Sequence, residues 1–323
     1  MTPPPAAPRV VEVEFVVEPN YAGWRLDRYL CEKIRRLSRT RVQRIIERDL
    51  VSERPLKPSS LVTPGLTFRL RKRVLEEPEV PAPEELVELY RDEWLLVLDK
   101  PAGLPIHPTA RYHQGTLVSL LRRRYGDSCK ADPAHRLDRE TSGLVVCGLS
   151  VEATRRLKRA FHQGEVAKEY LAICEGHPAT DELEVDAPVA EGGALVRIAV
   201  RIDPVAGKRA LTRFEVLRRF TRVGEPFSLL RALPRTGRQH QIRIHLKSVG
   251  LPLVGDKIYG PDEGYFDRFS RHALEPEAWA RLRLSRHALH AAKLSFTHPG
   301  TGKQLCFESP LPADLSAFLD GRE

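Results

Sequence analysis

One aspartate, Asp138, stands out because of the charges beside it and its place in the chain. It lies between Arg136 and Arg139, in a polar segment that leads directly into the apolar residues 144–149. Loops that feed buried strands often carry reactive side chains. Two nearby cations would keep the carboxylate ionised, as a nucleophile or a general base requires. The alternative is an aspartate that only closes a turn by hydrogen-bonding to its own backbone.

A second candidate, Tyr170, falls in residues 167–173, whose composition and spacing predict a strand. A period of two puts Lys168 on the same face of that strand as Tyr170. The tyrosine is then either a core aromatic with a satisfied hydroxyl or a platform on which a nucleic-acid base stacks. Lys168 adds a cation to the same face and is a candidate for RNA contact.

A third candidate, Arg243, belongs to residues 229–248, which carry five basic residues and no acidic one. Residues 239–249 fit either a strand or a helix, and Gly250 favours the helix because glycine commonly follows a helix C-terminus. In that helix Ile242 faces inward, whereas Arg243 joins a polar stripe. The arginine then either reaches inward to a carboxylate or lies on the surface.

Sequence patterns for metals and nucleotide cofactors are missing. The chain has no Cys-x-x-Cys, no complete P-loop and no Gly-x-Gly-x-x-Gly. His240 and His245 are five residues apart, so they do not share a helix face as a zinc-binding pair would. We therefore expect neither a cofactor nor a metal.

Hydrophobic periodicity and capping residues predict the elements around these candidates. Ser150 caps and Gly164 ends a helix that follows the strand after Asp138. The predicted elements are a strand over 95–100, a helix over 117–125, a strand over 144–149, a helix over 151–163 and a strand over 167–173.

A small basic module precedes this region. Residues 21–75 hold fifteen basic and five acidic residues. Helical spacing predicts two helices, the second over 39–48 with Ser38 as its N-cap. Three arginines of the second helix share one face, which suits either contact with a phosphate backbone or a solvated charged surface: Arg41, Arg44 and Arg48.

The order of residues in this module is similar to that of the S-four-like RNA-binding module. The similarity rests on Arg25-Leu-Asp-x-x-Leu30, Ser38-Arg39, a helix and a short β region. The chain departs from that pattern at Asp49 and at residues 52–54, where the module usually has a glycine and an Asn-Gly turn. The basic helix is retained, and the hairpin turn is the part that the sequence does not support.

Charge and length suggest four regions. The chain has 323 residues, a net charge of +9, 41% hydrophobic and 29% charged residues, as in an ordinary globular protein. The stretch after the module is acidic and proline-rich, as in a linker. The regions are a tail over 1–20 that ends in one short strand, the module over 21–75, the linker over 76–88 and a larger domain over 89–323.

The remaining composition bears on compartment and partners. Five scattered cysteines without close pairs fit a reducing cytosol, so we expect a cytoplasmic protein. No apolar run approaches the ~20 residues of a membrane span, and no secretory signal is evident. A basic excess suggests a polyanionic partner. No exposed apolar stripe is evident, so we expect a monomer.

Together the segments of the larger domain resemble the RluA family of pseudouridine synthases, in particular members with an N-terminal S-four-like module. The most specific similarities are HRLDRETSG at 135–143 and TGRQHQIRIHL at 236–246. Further matching segments are DKPAG at 99–103, KEY at 168–170, GKRALT at 207–212, GD at 255–256 and YG at 259–260.

The resemblance implies a fold and a set of roles. The fold would be α+β, with a mostly antiparallel central sheet, flanking helices and an active-site cleft. Asp138 would be the essential carboxylate, either as nucleophile at the anomeric carbon or as base at the adjacent ribose carbon. Arg243 would pair with it, Tyr170 would stack on the flipped base, Arg136 would fill the gap that the base leaves, and Ile242 would form an apolar wall.

The resemblance implies an isomerase that converts uridine to pseudouridine in structured RNA. Large-subunit ribosomal RNA is the expected substrate, and transfer RNA is the other possibility within the family. The alternative from another class is a non-catalytic RNA-binding or ribosome-assembly factor on the same scaffold. The presence of Asp138, Tyr170 and Arg243 together argues against that alternative.

Overall fold

A computed structural model describes residues 9–34, 39–74, 86–108, 115–126, 131–192, 198–262, 264–271 and 273–322. The chain divides into two compact units, residues 1–78 and residues 79–323. Each unit is described by itself.

The first unit is a three-stranded antiparallel sheet packed on two helices. The sheet has the order β1-β3-β2, and α1 and α2 contribute the buried residues Leu26, Tyr29, Leu30, Val42 and Ile46 to its core. The elements are β1 (Arg9–Val16), α1 (Leu26–Lys33), α2 (Arg39–Asp49), β2 (Leu50–Val51) and β3 (Thr67–Val74), with a 3-10 turn at Pro19–Tyr21.

The N-terminal boundary differs from the expectation. Residues 1–20 were expected to form a tail outside the module, but β1 pairs with β3 along its whole length, from Arg9 opposite Val74 to Val16 opposite Thr67. The strand therefore belongs to the module's sheet. β3 lies more than 50 residues after β1 in the sequence. Local sequence patterns do not reveal such a partner, because strand pairing depends on the tertiary fold.

The second unit contains twelve strands and six helices among its described residues. The strands are β4 (Val87–Arg91), β5 (Leu95–Lys100), β6 (Asp132–Pro133), β7 (Ser142–Gly148), β8 (Ala167–Glu175), β9 (Glu182–Asp186), β10 (Val189–Glu191), β11 (Val200–Ile202), β12 (Leu211–Arg222), β13 (Glu225–Pro234), β14 (Leu289–Thr297) and β15 (Gln304–Glu308). The helices are α3 (Leu117–Tyr125), α4 (Val151–Gln163), α5 (Gln241–Ser248), α6 (Tyr265–Ser270), α7 (Pro276–Leu282) and α8 (Ala313–Asp320).

Ten of these strands form one sheet. Its main path has the order β4-β5-β7-β14-β8-β13-β12-β9, with β15 beside β14 and β6 beside β7. Only β7 and β14 pair in parallel, and the other described pairs are antiparallel. The expected α+β fold with a mostly antiparallel sheet is confirmed.

The neighbouring strands β5 and β7 are buried on both faces. Leu96 and Leu98 of β5 pack in one cluster with apolar residues of α3. Leu95 and Val97, on the opposite face, pack in another cluster with Leu157 of α4. A strand that is covered on both faces reads as a continuous apolar run, as β5 does. This layered core holds the polar loop before β7 in place.

Most of the expected acidic linker and the expected helix cap at Ser38 lie outside the described residues. The larger domain was expected to begin at residue 89, whereas β4 already begins at Val87. Among the described residues, none of the helices is long and apolar enough to cross a membrane.

Candidate active site

The loop that carries Asp138 lies between β6 and β7 and is held by the backbone that follows β5. The Gly103 N–H and the Lys100 ammonium donate to the Arg139 carbonyl oxygen, at 2.8 and 3.2 Å. The Thr141 N–H donates to the Asp138 carbonyl oxygen at 3.1 Å, which closes a turn directly before β7. The carboxylate is therefore presented by a loop that is fixed at its backbone.

Lys100 is the last residue of β5 and is fully buried. Its ammonium donates to the carbonyl oxygens of Pro101, Leu104 and Arg139 at 2.8, 3.0 and 3.2 Å. Burial lowers the pKa of Lys100 to about 7, although the negative charge of Asp138 opposes the shift. An ammonium group carries three protons, so its charged form satisfies all three carbonyls. Lys100 thereby joins the end of β5 to the loop of Asp138.

The centre of the site is an arginine between two carboxylates. Arg243 donates from Nη1 to Oδ2 of Asp138 at 2.9 Å, and from Nε and Nη2 to Oδ2 and Oδ1 of Asp256 at 2.7 Å each. The side chains of Arg243, Asp138 and Asp256 are 4%, 17% and 0% exposed. The bidentate pair with Asp256 fixes the plane of the guanidinium, and the remaining nitrogen fixes one oxygen of Asp138.

Helix α5 brings Arg243 to this position. The side chain of Gln241 links the start of the helix to its surroundings: its Oε1 accepts from the Thr236 hydroxyl and the Arg238 N–H at 2.7 and 3.0 Å, and its Nε2 donates to the Leu211 carbonyl oxygen at 3.0 Å. The helix after Gly237 was expected. Arg243 does not, however, lie on an exposed polar stripe, because two carboxylates from elsewhere in the chain satisfy its donors inside the protein.

The charge state of Asp138 follows from its neighbours. Burial alone would raise its pKa, but positive charge on His240 and Arg243 more than offsets burial and lowers the pKa of Asp138 to about 2. Burial lowers the pKa of His240 itself to about 4, so at neutral pH Arg243 provides the positive charge. The pair with Arg243 that the resemblance implied is present, across 105 residues of sequence, whereas neither Arg136 nor Arg139 is among the main influences on the pKa of Asp138.

Tyr170 lies on β8, where it packs against the core clusters on either side. Burial and the negative charge of Asp138 both raise its pKa above the usual range, so the phenol is neutral. No hydrogen bond joins its hydroxyl to any described residue. Lys168, on the same strand, is half-buried, and its ammonium donates to the Thr236 carbonyl oxygen at 3.4 Å. The two residues thus lie near Asp138 and the start of α5, respectively.

Arg136 and Ile242 occupy different surroundings. Arg136 is exposed, and its side chain makes no ion pair with a described residue. Its charge also lowers the pKa of nearby His240, although burial contributes more. Ile242 is 6% exposed and belongs to the cluster against which Tyr170 packs. Arg136 is therefore exposed near His240, whereas Ile242 is part of the buried core.

The arginines of the first unit are exposed on α2. Arg48 is paired with Asp49, with 2.6 Å between Nη2 and Oδ2. Arg41 and Arg44 form no ion pair with a described residue. Of the three arginines expected to bind phosphate, Arg41 and Arg44 therefore have no ion-pair partner among the described residues, whereas Arg48 already has one.

A second polar cluster contacts the loop at Glu140 and Thr141, which follow Asp138 in sequence. The Lys257 ammonium donates to both carboxylate oxygens of Glu140 at 3.0 and 3.1 Å and to the Ser285 carbonyl oxygen at 2.6 Å. Nε2 of His287 lies 2.7 Å from the Thr141 hydroxyl. These groups hold the residues directly after Asp138, so both sides of the loop are tied down.

Sequence reasoning assigned no role to Asp256, His240 or Tyr259. The segments at 255–256, 259–260 and 236–246 were recognised as similar to a family, and that similarity was the only available signal. Spacing could not identify them, because Asp256 follows Arg243 by thirteen residues across a turn region. In the part of the chain that the structure describes, no three His, Cys, Asp or Glu side chains form a group that could hold a metal ion.

Comparisons with known proteins identify the family of this chain. A family model described as RNA pseudouridylate synthase matches residues 94–248. The chain is 37% identical to "Ribosomal large subunit pseudouridine synthase D" of Nitrosomonas europaea, over 95% of this chain and 87% of that one. It is 35% identical to the protein of the same name from Pseudomonas aeruginosa, over 96% of this chain and 94% of that one.

One solved structure has a fold similar to that of this chain. The human protein "RNA Pseudouridylate Synthase Domain Containing 1" matches with a TM-score of 0.58 and 28% identity, covering 75% of this chain and 89% of that chain. The fold and these relatives show that the chain is a pseudouridine synthase, an isomerase that acts on RNA. Within that class, the chain belongs to the RluA family.

Proposed function

We propose that this enzyme isomerises uridine in large-subunit ribosomal RNA, with Asp138 as the reactive carboxylate. The observation that carries the residue assignment is the bond between Nη1 of Arg243 and Oδ2 of Asp138, 2.9 Å long and mostly shielded from water. The substrate follows from the relatives, whose names specify the large ribosomal subunit. Transfer RNA is the other substrate to test.

The proposed chemistry requires an ionised and oriented carboxylate. The bond between N1 of the uracil and C1′ of the ribose breaks, a bond from C5 to C1′ forms, the proton on C5 is lost and N1 takes up a proton, so the product is an isomer of uridine. Asp138 acts either at C1′ as a nucleophile or at C2′ as a base, and both routes begin with the anion. At an effective dielectric near 20, a close cation such as Arg243 supplies about 4 kcal/mol of Coulomb energy.

Tyr170, Ile242 and Arg136 are proposed to handle the base. An extruded base needs a stacking surface, and unstacking it costs a few kcal/mol. The Tyr170 hydroxyl has no hydrogen-bond partner among the described residues, the charge of Asp138 acts on its pKa, and the ring packs against the apolar cluster that contains Ile242. Arg136 is exposed and unpaired among the described residues, so it is available to enter the gap in the RNA.

Uncompensated cations near the site are proposed to contact phosphates. Among the described residues, the side chains of Arg136, Lys168 and Arg235 form no ion pair. On α4, Arg155 and Arg156 share one carboxylate, that of Glu152, at 2.7 Å each. We therefore assign the phosphate contacts first to the unpaired residues around Asp138.

The first unit is proposed to grip RNA through Arg41 and Arg44 of α2. Their charges are exposed and unbalanced, which is the arrangement that releases counterions when phosphates bind. Arg48 contributes less because Asp49 already neutralises it.

Lys168 is proposed as a further RNA contact on the second unit. We also propose that the enzyme acts as a cytoplasmic monomer, and sedimentation of the purified chain tests the monomer.

The test uses large-subunit ribosomal RNA transcribed with tritium at C5 of uridine. Pseudouridine formation releases that tritium to water, so we expect release with the wild-type enzyme and none with Asp138→Asn, which keeps the shape and removes the charge. Asp132→Asn serves as the matched control, because Asp132 is a surface residue that pairs with Lys158 at 2.6 Å. We expect the control to match the wild type.

Each result that differs from these expectations has a definite meaning. If the wild type releases no tritium from ribosomal RNA but does so from transfer RNA, the proposed substrate is wrong. If it releases none from either RNA while still binding both, the non-catalytic RNA-binding alternative gains support. If Asp138→Asn is as active as the wild type, the assignment of the reactive carboxylate is wrong.

A further inference from the structure

A histidine lies directly beside the reactive carboxylate. His240 is the residue before α5 and adopts a left-handed backbone conformation with φ of 51°. Its side chain is 7% exposed, and its Nε2 lies 3.7 Å from Oδ1 of Asp138. Its other nitrogen, Nδ1, lies 2.9 Å from the Tyr259 hydroxyl. The left-handed conformation, uncommon outside glycine, puts the ring between these two groups.

The direction of the hydrogen bonds decides which nitrogen carries the proton. The Val200 N–H donates to the Tyr259 hydroxyl oxygen at 2.7 Å, so that oxygen already accepts one bond. The hydroxyl's own proton then needs an acceptor, and Nδ1 of His240 is the acceptor within reach among the described residues. A proton on Nδ1 would leave the buried hydroxyl proton without a partner. The chain of bonds therefore assigns the proton to Nε2, which faces Asp138.

The charges around His240 keep the ring neutral. The titratable groups that face it are the carboxylates of Asp138 and Asp256 and the guanidinium groups of Arg243 and Arg136. Burial, as the largest influence, lowers the pKa of His240 to about 4. The two carboxylates raise that pKa and the two arginines lower it. At neutral pH the ring is thus a neutral donor at Nε2.

The two oxygens of Asp138 are therefore treated differently. Oδ2 accepts the bond from Arg243 at 2.9 Å, whereas Oδ1 has His240 opposite it at 3.7 Å, too far for a hydrogen bond. Catalytic hydrogen bonds are often long in a free enzyme and shorten when substrate binds. A small rotation of the carboxylate or the ring would bring Nε2–H into range of Oδ1.

We propose that His240 is a positioning residue for Asp138, and that Tyr259 sets it up by fixing the neutral tautomer that carries its proton on Nε2. Arg243 fixes Oδ2, and the histidine orients Oδ1 when RNA occupies the site. Because Nδ1 is occupied and Nε2 already carries a proton, His240 does not remove the proton from C5 of the uracil. This inference rests on the proposed function only for its activity readout.

The tautomer is tested first, without any RNA. The full-length enzyme is labelled with nitrogen-15 in its histidines, and long-range proton–nitrogen correlation spectra separate the two neutral tautomers and the cation. His240→Gln identifies the signal. We expect the Nε2–H tautomer between pH 5.5 and 8, and a mixture of tautomers in Tyr259→Phe. A Nδ1–H tautomer in the wild type, or a cation appearing near pH 6.5, would overturn the proposal.

The activity measurement compares two substitutions of His240. His240→Gln keeps an N–H donor near the place of Nε2, and His240→Leu removes it. Both variants have a side chain other than glycine at residue 240, where the backbone is left-handed. The backbone strain is therefore similar in the two variants and cancels when they are compared. We expect the leucine variant to lose about tenfold or more in kcat with little change in KM, since single oriented donors at reacting centres matter on this scale. We expect the glutamine variant to recover most of that loss.

Equal losses in the leucine and glutamine variants, or losses confined to KM, would overturn the positioning role. Tritium release from the ribosomal transcript is the readout, and circular dichroism shows whether each variant is folded. If the wild type is inactive on that RNA, the proposed function fails, while the tautomer measurement still decides the assignment for His240. The two failures are thus distinguishable.

Discussion

Replacing Arg243 with lysine tests the central arrangement of the site most directly. The substitution keeps the positive charge and removes the planar fork. Arg243 donates three hydrogen bonds to the two buried carboxylates, two of them to Asp256. A lysine ammonium is a single point donor that cannot span both carboxylates in this geometry. We therefore expect it to keep about one of the three bonds.

The expected loss of stability follows from those bonds. Each hydrogen bond to a charged group contributes about 1.5–3 kcal/mol, so losing two corresponds to about 3–6 kcal/mol. Breaking a buried ion pair by changing one partner costs about 3–5 kcal/mol in comparable cases. We expect Arg243→Lys to lower the free energy of unfolding of the second unit by about 3–5 kcal/mol. A stability of about 10 kcal/mol, in the middle of the usual range for a domain, leaves the variant folded.

The assay must report the second unit alone. Trp94 and Trp279 lie in the second unit and Trp24 in the first, so a Trp24→Phe background restricts fluorescence to the second unit. Urea unfolding then compares Arg243→Lys with Arg271→Lys. Arg271 pairs with Asp267 at 3.0 Å on the surface, with both side chains more than half exposed, and such pairs contribute about 0–1 kcal/mol.

The difference in stability should also depend on pH. Arg243 counteracts burial and lowers the pKa of Asp138 to about 2 and that of Asp256 well below its ordinary value of 3.8. Folded-state pKa values below the unfolded value add stability that is complete above the unfolded pKa and is lost as the pH falls through the folded values. The gap between wild type and Arg243→Lys should thus be constant near neutral pH and shrink between pH 3.8 and 2.

Activity completes the test. With the protein folded, we expect Arg243→Lys to lower kcat by about 10²–10³, as removal of an oriented electrostatic partner does elsewhere. A loss of stability below about 1 kcal/mol, combined with activity close to that of wild type, would refute the reasoning. It would show that the guanidinium fork neither supports the fold nor orients Asp138.

Two further perturbations test the scaffold and the RNA binding proposed for the first unit. A Cβ on Gly143, where φ is +107°, would lie 2.3 Å from the Ala291 carbonyl oxygen in the parallel strand pair, whereas one on Gly302, where φ is +72°, meets nothing within 4 Å. Both share the cost of a positive φ, so thermal unfolding should show Gly143→Ala to be less stable than Gly302→Ala, and equal melting temperatures would contradict the close strand contact. In the first unit, replacing Arg41 and Arg44 with glutamine should flatten the slope of log K against log salt for RNA binding by about 1.4–1.8. Arg48→Gln should change it less because Asp49 already balances that charge, and equal effects would contradict this distinction.

Local patterns in the sequence were sufficient for many elements. The predicted strand over 95–100 and the helices over 117–125 and 151–163 have the observed bounds. Ser150 caps α4 by accepting from the Ala153 N–H at 3.1 Å, and Gly164 ends the helix in a left-handed conformation. These signals lie within a few residues of the structure that they produce, so one sequence contains them in full.

The family was also readable from the sequence, through the segments at 135–143 and 236–246, and the resemblance singled out Asp138 as the proposed reactive carboxylate. The argument from neighbouring charges alone nevertheless named the wrong cations, because it relied on the arginines beside Asp138 in sequence. Sequence neighbours on a loop point in different directions, so proximity along the chain does not imply an ion pair. The structure joins Asp138 to Arg243, the partner that the family resemblance implied.

By itself, the sequence determined the local elements, the charge of the first unit and the family to which the chain belongs. Only the tertiary structure decided that Arg243 is buried between two carboxylates, that Tyr259 and His240 form a bonded chain toward Asp138, and that β1 completes the sheet of the first unit. The physical reason is the same in each case. Helical and strand periods act over a few residues, whereas ion pairs, tautomers and strand partners depend on groups that only folding brings together.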